Sequence, residues 1–355
     1  MPSDSTSNIA RRPRLQVLVD GAIVNTAIDA RVVSNNYFSA DWFYATFVAS
    51  EETSFAMSYW ASIKRALVEI RLSVGETESF ETMIIGYADA VSIDAIRNLV
   101  RIEGRDLSAL LVDSGLNEAF PNYTADAIVS LLALRHGLKP HVLPTPGMVG
   151  RLFGGAQEEL GFSYHSRATT DWDLIVRLAQ QSGYDAYVRG WDFFFQPAKS
   201  RKSAAVVIGR GDVTDLRLER DLSRRSLDQL AAVSWNAQLQ QSILSGSTGL
   251  QPSGGGDVPV MMQPNLDPGG IGRVMAQLIA DAKQHARAIE ITMPGETGLS
   301  ARSSIELQGT GTDFDRAYDV ECIDRMFSPV SGFRQRIRAR QSSDVASRIV
   351  GSLTF

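Results

Sequence analysis

The sequence predicts an α+β protein, mainly antiparallel β, in which two strand-rich, barrel-like regions flank an inserted mixed α/β segment. Three observations lead there. Residues 13–105 repeat a period-2 alternation of apolar and polar side chains, residues 106–203 switch to helical spacing with defined starts and stops, and strand character returns from about residue 204.

In the first region, "VEIRLSVG" (68–75) sends Val68, Ile70, Leu72 and Val74 to one side and Glu69, Arg71 and Ser73 to the other, the pattern of a half-buried strand. "RLQVLVDG", "AIDARVVS", "FETMIIGYAD" and "NLVRIEG" behave similarly, and "DWFYATFVAS" is apolar on both faces. About five or six short strands at this density make an antiparallel barrel or sandwich. The preceding "MPSDSTSNIARRPR" lacks the apolar core of a signal peptide, and residues 1–12 read as a polar arm.

The insert opens with helical "DLSALLVDS" and "TADAIVSLLALRHG". The second has Thr124 as cap, Ile128, Leu131, Leu132 and Arg135 along it, and Gly137 as stop. It closes with "TTDWDLIVRLAQQSGYDAYVRGWDFFFQP" (169–197). Thr170 is a good N-cap, and Asp171 and Asp173 suit the positive end of the helix dipole. Leu174, Ile175, Leu178 and Ala179 share one face, and Gly183 stands where a left-handed C-cap is wanted. "YDAYV" and "WDFFF" then flank Arg189-Gly190 as two short strands around a tight turn.

Strands return at "AAVVIG", "VTDLRLERDLS" and "LAAVSWNAQ". Gly-, Pro- and Ser-rich residues 245–270 read as a long mobile loop, and "GRVMAQLIADAKQHARA" (272–288) as a helix. Strands at "SSIELQG", "AYDVECIDR" and "GFRQRIRAR" follow, and residues 343–355 form a C-terminal tail.

Composition excludes several function classes. With 44% apolar and 21% charged residues among 355, the chain is an ordinary folding sequence with room for a large core. A net charge of -5 gives no electrostatic reason to bind nucleic acid or an anionic membrane. No apolar run approaches the roughly 20 residues of a membrane helix. Cys322 is the single cysteine, so no intramolecular disulfide forms and stability rests on packing or assembly. A soluble protein made and folded in a cytoplasm is expected.

Little points to chemistry. His136 ends a helix, where a cation suits the dipole, and His285 lies in a polar helical stretch; with His141 and His165 they form no pair at metal-ligand spacing. "GRGDVTD" (209–215) lacks the third glycine of a dinucleotide fingerprint and the lysine of a phosphate loop, and reads as a turn between strands. Asp313 and Asp315 are the carboxylates a glycosidase could use, in a sequence without GxSxG or HExxH. Catalytic, metal and cofactor sites are therefore not expected. In "GFRQRIRARQ", however, Arg334, Arg336, Arg338 and Arg340 occupy every second position, so a strand sends all four to one face. Four like charges there need water or carboxylates between them, as on a solvated face, a subunit interface or a channel wall.

"VRIEGRDLSALLVDSGLNEAFPNYTADAIVSLLALRHGLKP" (100–140) resembles the segment entering the inserted domain of phage baseplate hub proteins, where a strand ending in a Gly-Arg-Asp type motif leads into a helix, a loop and a second helix. "DWDLIVRLAQQSGYDAYVRGWDFFFQP" is similar to the helix-hairpin of the same family. Its members are the Mu-like and T4-like tail hubs, the late-control D proteins and the N-terminal half of type VI secretion spikes. The resemblance implies two tail-tube-like β-barrels: the first over 13–105, completed by about 204–222, and the second over 223–342, its strands starting near Gln229. The insert takes 106–203. It also implies a structural, non-enzymatic hub at the tail tip of a virion. Such a hub forms a homotrimeric ring joining a hexameric tail tube or distal tail protein to a trimeric central spike. The sequence ends at Phe355, so the spike is expected to be a separate polypeptide. Other baseplate proteins and the tape-measure protein are further expected partners, and DNA passes only as cargo through the channel. In this setting the helix-hairpin is a docking module. Two alternatives belong to other classes: a wall-degrading glycosidase, and a glycan- or receptor-binding module using Trp42, Trp60, Trp172, Trp191 and Trp235 as stacking platforms.

Overall fold

The computed structural model describes residues 12–49, 55–74, 79–118, 120, 122–145, 148–149, 169–198, 206–222, 231–236, 241–246, 260–262 and 287–342. The early region forms strands β1 (Arg14–Val19), β2 (Ala22–Ile23), β3 (Ala27–Asn35), β4 (Trp42–Val48), β5 (Leu67–Ser73), β6 (Glu81–Asp94) and β7 (Leu99–Asp106), with a short helix α1 (Met57–Ser62). Their alternation is the one the sequence shows. Val68 and Ile70 are buried in one core with Val17, Val32, Phe43, Phe47, Val100 and Ile102, and Leu72 is buried as well.

The insert carries helices α2 (Ala109–Val112), α3 (Ala125–Arg135) and α4 (Asp171–Ser182). Its strands are β8 (Tyr123–Thr124), β9 (Lys139–Val142), β10 (Met148–Val149), β11 (Tyr184–Arg189) and β12 (Asp192–Pro197). The helix-hairpin forms as its residues dictate. Thr170 Oγ1 accepts from the Asp173 N–H at 3.1 Å, Gly183 is left-handed at φ 67°, and Gly190 turns the hairpin at φ 55°. Leu174, Ile175, Leu178 and Ala179 pack with Ala186, Val188, Phe193 and Phe195 in one core. Helix α3 differs from expectation at its cap. Its buried line is Ala125, Ile128, Val129, Leu132 and Ala133, a continuous row at helical spacing, while Leu131 lies outside. Thr124 makes no side-chain cap; Thr145 supplies it, accepting from the Asp126 N–H at 3.2 Å.

The late region contributes β13 (Val206–Gly209), β14 (Asp215–Arg220), β15 (Ala231–Asn236), β16 (Gln241–Gly246), β17 (Val260–Met262), β18 (Arg287–Pro294), β19 (Ser304–Gln308), β20 (Ala317–Ser328) and β21 (Gly332–Gln341). Arg210–Asp212 makes the expected turn between strands, a single 3-10 turn.

Two expectations are corrected by the pairing. The described strands close no barrel; 13 of them run as one open sheet in the order β14-β18-β21-β20-β3-β4-β7-β6-β5-β1-β2, with β19 and β13 branching from β20. The early and late halves are joined because β20 is long enough to hold β21 on one side and β3 on the other, pairing Cys322 with Asn35 through Phe327 with Ala30. Residues 206–220 do not return to the early strands: β13 pairs with β19 and β14 with β18. Apolar matching explains this, since Ile208, Leu216 and Leu218 join the late core of Ile289, Ile291, Ile305, Leu307, Val320 and Ile337.

Within the stretch read as a loop over 245–270, residues 245–246 end β16 and 260–262 form β17, which lies parallel to β15; the rest lies outside the described residues. Of the helix expected over 272–288, residues 287–288 open strand β18 and the others lie outside, as do the arm up to residue 11 and the tail from 343.

Candidate assembly surface

Strand β21 places Phe333, Gln335, Ile337 and Ala339 in the interior and Arg334, Arg336 and Arg338 in solvent, with Arg340 half-buried on the same outer face. Carboxylates of this chain partly compensate them. Arg336 lies 3.5 Å from Glu290 on β18, and Arg338 lies 3.4 Å from Glu321 on β20. Glu321 also pairs with Arg340, whose Nε donates to it at 2.8 Å. Glu321 reaches both because a β-bulge falls between Val320 and Cys322, where the extra residue leaves the pairing and tilts outward. One strand further, Asp324 accepts a two-pronged contact from Arg31 at 2.8 and 2.7 Å, and that guanidinium lies over the Trp42 ring. Arg334 has no carboxylate partner among the described residues.

The inner face near the insert holds charges of another kind. Asp41, between β3 and β4, and Asp106, at the end of β7, approach each other; the Asp106 N–H donates to the Asp41 carbonyl at 2.9 Å. Burial pushes the Asp106 carboxyl up to about 8, reinforced by the neighbouring Asp41 charge, and burial pushes Asp41 up to about 6. Arg302, from the loop before β19, crosses to the insert, 3.5 Å from Asp185 and with its guanidinium over the Tyr187 ring. Arg325 is 3% exposed, donates to the Glu296 and Leu299 carbonyls, and has its pKa lowered to about 10 by burial. These residues tie early sheet, insert and late sheet together. Buried carboxyls with raised pKa in a cleft are also how a general acid looks. The space they line with Ser39, Ser108 and Trp172 is about 10 Å³, barely a water molecule and far too small for a sugar.

The Gly-Arg-Asp stretch at 104–106 now has a physical account. A Cβ on Gly104 would stand 2.1 Å from the Tyr87 carbonyl oxygen, so the close approach of β6 and β7 requires glycine. Arg105 holds Asp89 and Asp113, its Nε at 2.8 Å from Asp89 and Nη2 at 2.8 Å from Asp113. Asp106 is the buried carboxyl just described.

The other candidates take structural places. Asp313 is held down by hydrogen bonding from Arg287, and Asp315 by Thr310, so neither carries the raised pKa of a glycosidase acid. His136 Nε2 lies 2.8 Å from buried Asp171, joining the end of α3 to the start of α4. His141 pairs with Asp192 and stacks on Phe194. His165 and His285 lie outside the described residues. Trp60 is buried, stacks on Phe47 and donates to the Phe55 carbonyl. Trp172 donates to the Phe38 carbonyl across the insert boundary, so both are anchors of packing. Trp42 lies under Arg31, and Trp191 packs against the insert core. Trp235 lies on β15.

No family model and no curated protein matches the chain. Solved structures do. A tail protein from Neisseria meningitidis superposes with a TM-score of 0.67 at 13% identity, covering 93% of this chain and 96% of its own. The 43 kDa tail protein of prophage MuSo2 from Shewanella oneidensis gives 0.65 at 16% identity, over 93% and 98%. An E. coli component of the type VI secretion system, itself described as structurally similar to bacteriophage T4 tail proteins, gives 0.58 at 12% identity, over 93% and 77%. The chain therefore has the mainly antiparallel α+β fold of phage tail proteins and of type VI secretion components, the fold of the group its Gly-Arg-Asp and helix-hairpin segments resemble.

Proposed function

We propose that the chain is a structural hub of a phage tail baseplate: a threefold ring that joins the hexameric tail tube to a trimeric spike and lines the channel through which DNA passes. The observation that carries this reading is the pair of β halves, early and late, each with its own core and both carried by one chain with the insert between them. Two tube-type barrels per chain, completed in the ring, let three copies present six units upward and three downward. One gene then bridges a sixfold and a threefold component with self-consistent closed interfaces. The tail proteins that share this fold over nearly their whole length support it. In the ring, Arg336 and Arg338 face a neighbour's carboxylates or the channel.

Native mass measurement on the protein with its spike is expected to give three copies, and a strictly monomeric or dimeric species in assembled particles would overturn the hub. Arg336→Glu with Arg338→Glu is expected to reduce incorporation into particles, because like charges then meet across the interface.

A further inference from the structure

One small cavity lies where three parts of the molecule meet. The early sheet lines it with Asp41 and Asp106, the late half with Arg302, and the insert with Trp172 and Tyr187. Its volume of about 10 Å³ leaves room for barely one water, too little to hydrate two charges. The two carboxyl-bearing residues are also joined through the backbone, the Asp106 N–H donating to the Asp41 carbonyl at 2.9 Å. The chain enters the insert directly after Asp106. Trp172 Nε1 closes the joint from the insert side, donating to the Phe38 carbonyl at 3.0 Å.

Every neighbouring element presents a group to this pair. At the start of the insert, Ser108 Oγ donates to Asp106. From β3, the Asn35 N–H donates to Asp41 Oδ1 at 2.6 Å, and Ser34 bonds to the same carboxyl. From β20 come Arg325, which also feels exposed Glu81 of β6, and the Cys322 thiol, which burial pushes up to about 11 and so keeps neutral. Arg302 attracts both carboxyls from the loop before β19. It is already engaged with the insert, 3.5 Å from Asp185 and 3.7 Å from the centre of the Tyr187 ring.

The charges balance in only one protonation state. With one proton on the pair, its remaining carboxylate and that of Asp185 face the guanidiniums of Arg302 and Arg325. With the pair fully ionised, a further carboxylate is enclosed without a cation of its own, which a fold tolerates poorly. Arg325 is held by the Glu296 and Leu299 carbonyls. Arg302 lines the cavity already, so turning from Asp185 and Tyr187 toward the pair relieves the excess charge and lets go of the insert, where Asp185 then meets water. Burial places Asp41 at about 6 and Asp106 at about 8, so the proton is exchanged around neutral pH.

We propose that Asp41 and Asp106 form a proton-operated latch: with one proton on the pair, Arg302 ties the insert to the late half, and without it the tie is lost and the insert moves about Asp106. The latch belongs to the single chain, so it stands or falls separately from the hub reading and its threefold order. The test uses the isolated full chain carrying Cys322→Ser, with nitroxide labels on Leu134→Cys of α3 and Val330→Cys of the late half, both exposed positions. Pulsed electron resonance should give one narrow distance at about pH 5 and move at least about half of the population to a second, broader distance at about pH 9. Circular dichroism should stay unchanged, since the insert moves without unfolding. Asp106→Asn should hold the narrow distance at both pH values. Ser108→Ala removes a donor that favours the ionised carboxylate, so its transition should lie at higher pH than that of the wild type. Should Asp106→Asn fail to fold, Asp41→Asn is read by the same criterion. A wild-type distance that is the same at both pH values, a transition that survives in the Asn variant, or a loss of helix and strand signal at about pH 9 would overturn the latch. So would a Ser108→Ala transition at the wild-type pH or below it.

Discussion

Arg325 and Arg338 sit on adjacent strands of one sheet and have opposite surroundings. Arg338 stands in water, 3.4 Å from a carboxylate it shares with Arg340. Arg325 is dry, its guanidinium spent on the Glu296 and Leu299 carbonyls and attracted by Asp41. Exposed pairs are worth about 0–1 kcal/mol, whereas removing one member of a buried charged network costs several times that. The comparison shows that charge alone says little about a residue's importance here. Strand parity decides whether an arginine serves the surface or holds early and late sheets in register.

The largest expected effect tests the buried side. Arg325→Ala should lower unfolding free energy by about 3–5 kcal/mol in urea titration, since it strands the Leu299 and Glu296 carbonyls and the Asp41 charge. A loss below about 1 kcal/mol would erase the distinction between the two faces.

A pH series sharpens it. Asp41 and Asp106 have folded pKa values above those of the unfolded chain, so the folded state holds protons that the unfolded state releases. Their contribution is fully present below about pH 4 and is lost as pH rises through about 6 and about 8. Wild-type stability should decline over that window, by up to about 1.4 kcal/mol per pH unit for each proton taken up. Asp106→Asn should flatten the decline and be the more stable chain at pH 8, as read from urea midpoints. An unchanged slope would mean that the carboxylates are not as dry as their packing indicates.

The smallest effect belongs to the outer face. Arg336→Ala and Arg338→Ala should each change stability by no more than about 0.5 kcal/mol, and 0.5 M salt should not alter that difference. A loss above about 2 kcal/mol in the isolated chain would make the arginine face a folding element and weaken its assignment to assembly.

Much of the fold was legible because its cause is local. Thr170, the apolar row of α4, Gly183 and the Arg189-Gly190 turn act within a few residues of one another, and the helix-hairpin follows. Alternation in "GFRQRIRARQ" sufficed to put four arginines on one face, since side-chain direction along a strand has period two. The partners of those arginines were not legible. Glu321 meets Arg338 and Arg340 only because a bulge turns it outward, and nothing in "AYDVECIDR" marks that extra residue. In α3 the cap read at Thr124 was wrong because Thr145, which is distant in sequence, accepts from the Asp126 N–H instead.

By itself, then, the sequence determined the alternation of the early strands and of β21, the helix-hairpin of the insert and the turn at Arg210–Asp212. Those follow from backbone geometry and nearest-neighbour chemistry. Tertiary structure decided which strands meet. It joined β20 to β3 to make one open sheet, and it gave residues 206–220 to the late half, where their apolar side chains find a matching core. It also brought half-buried Asp41 and Arg302 together with buried Asp106 and Arg325. Strand partnership is a competition among distant segments of similar pattern. It is settled by the total surface each pairing buries and by whether the charges it encloses find partners, quantities that belong to the whole chain and to no stretch of it.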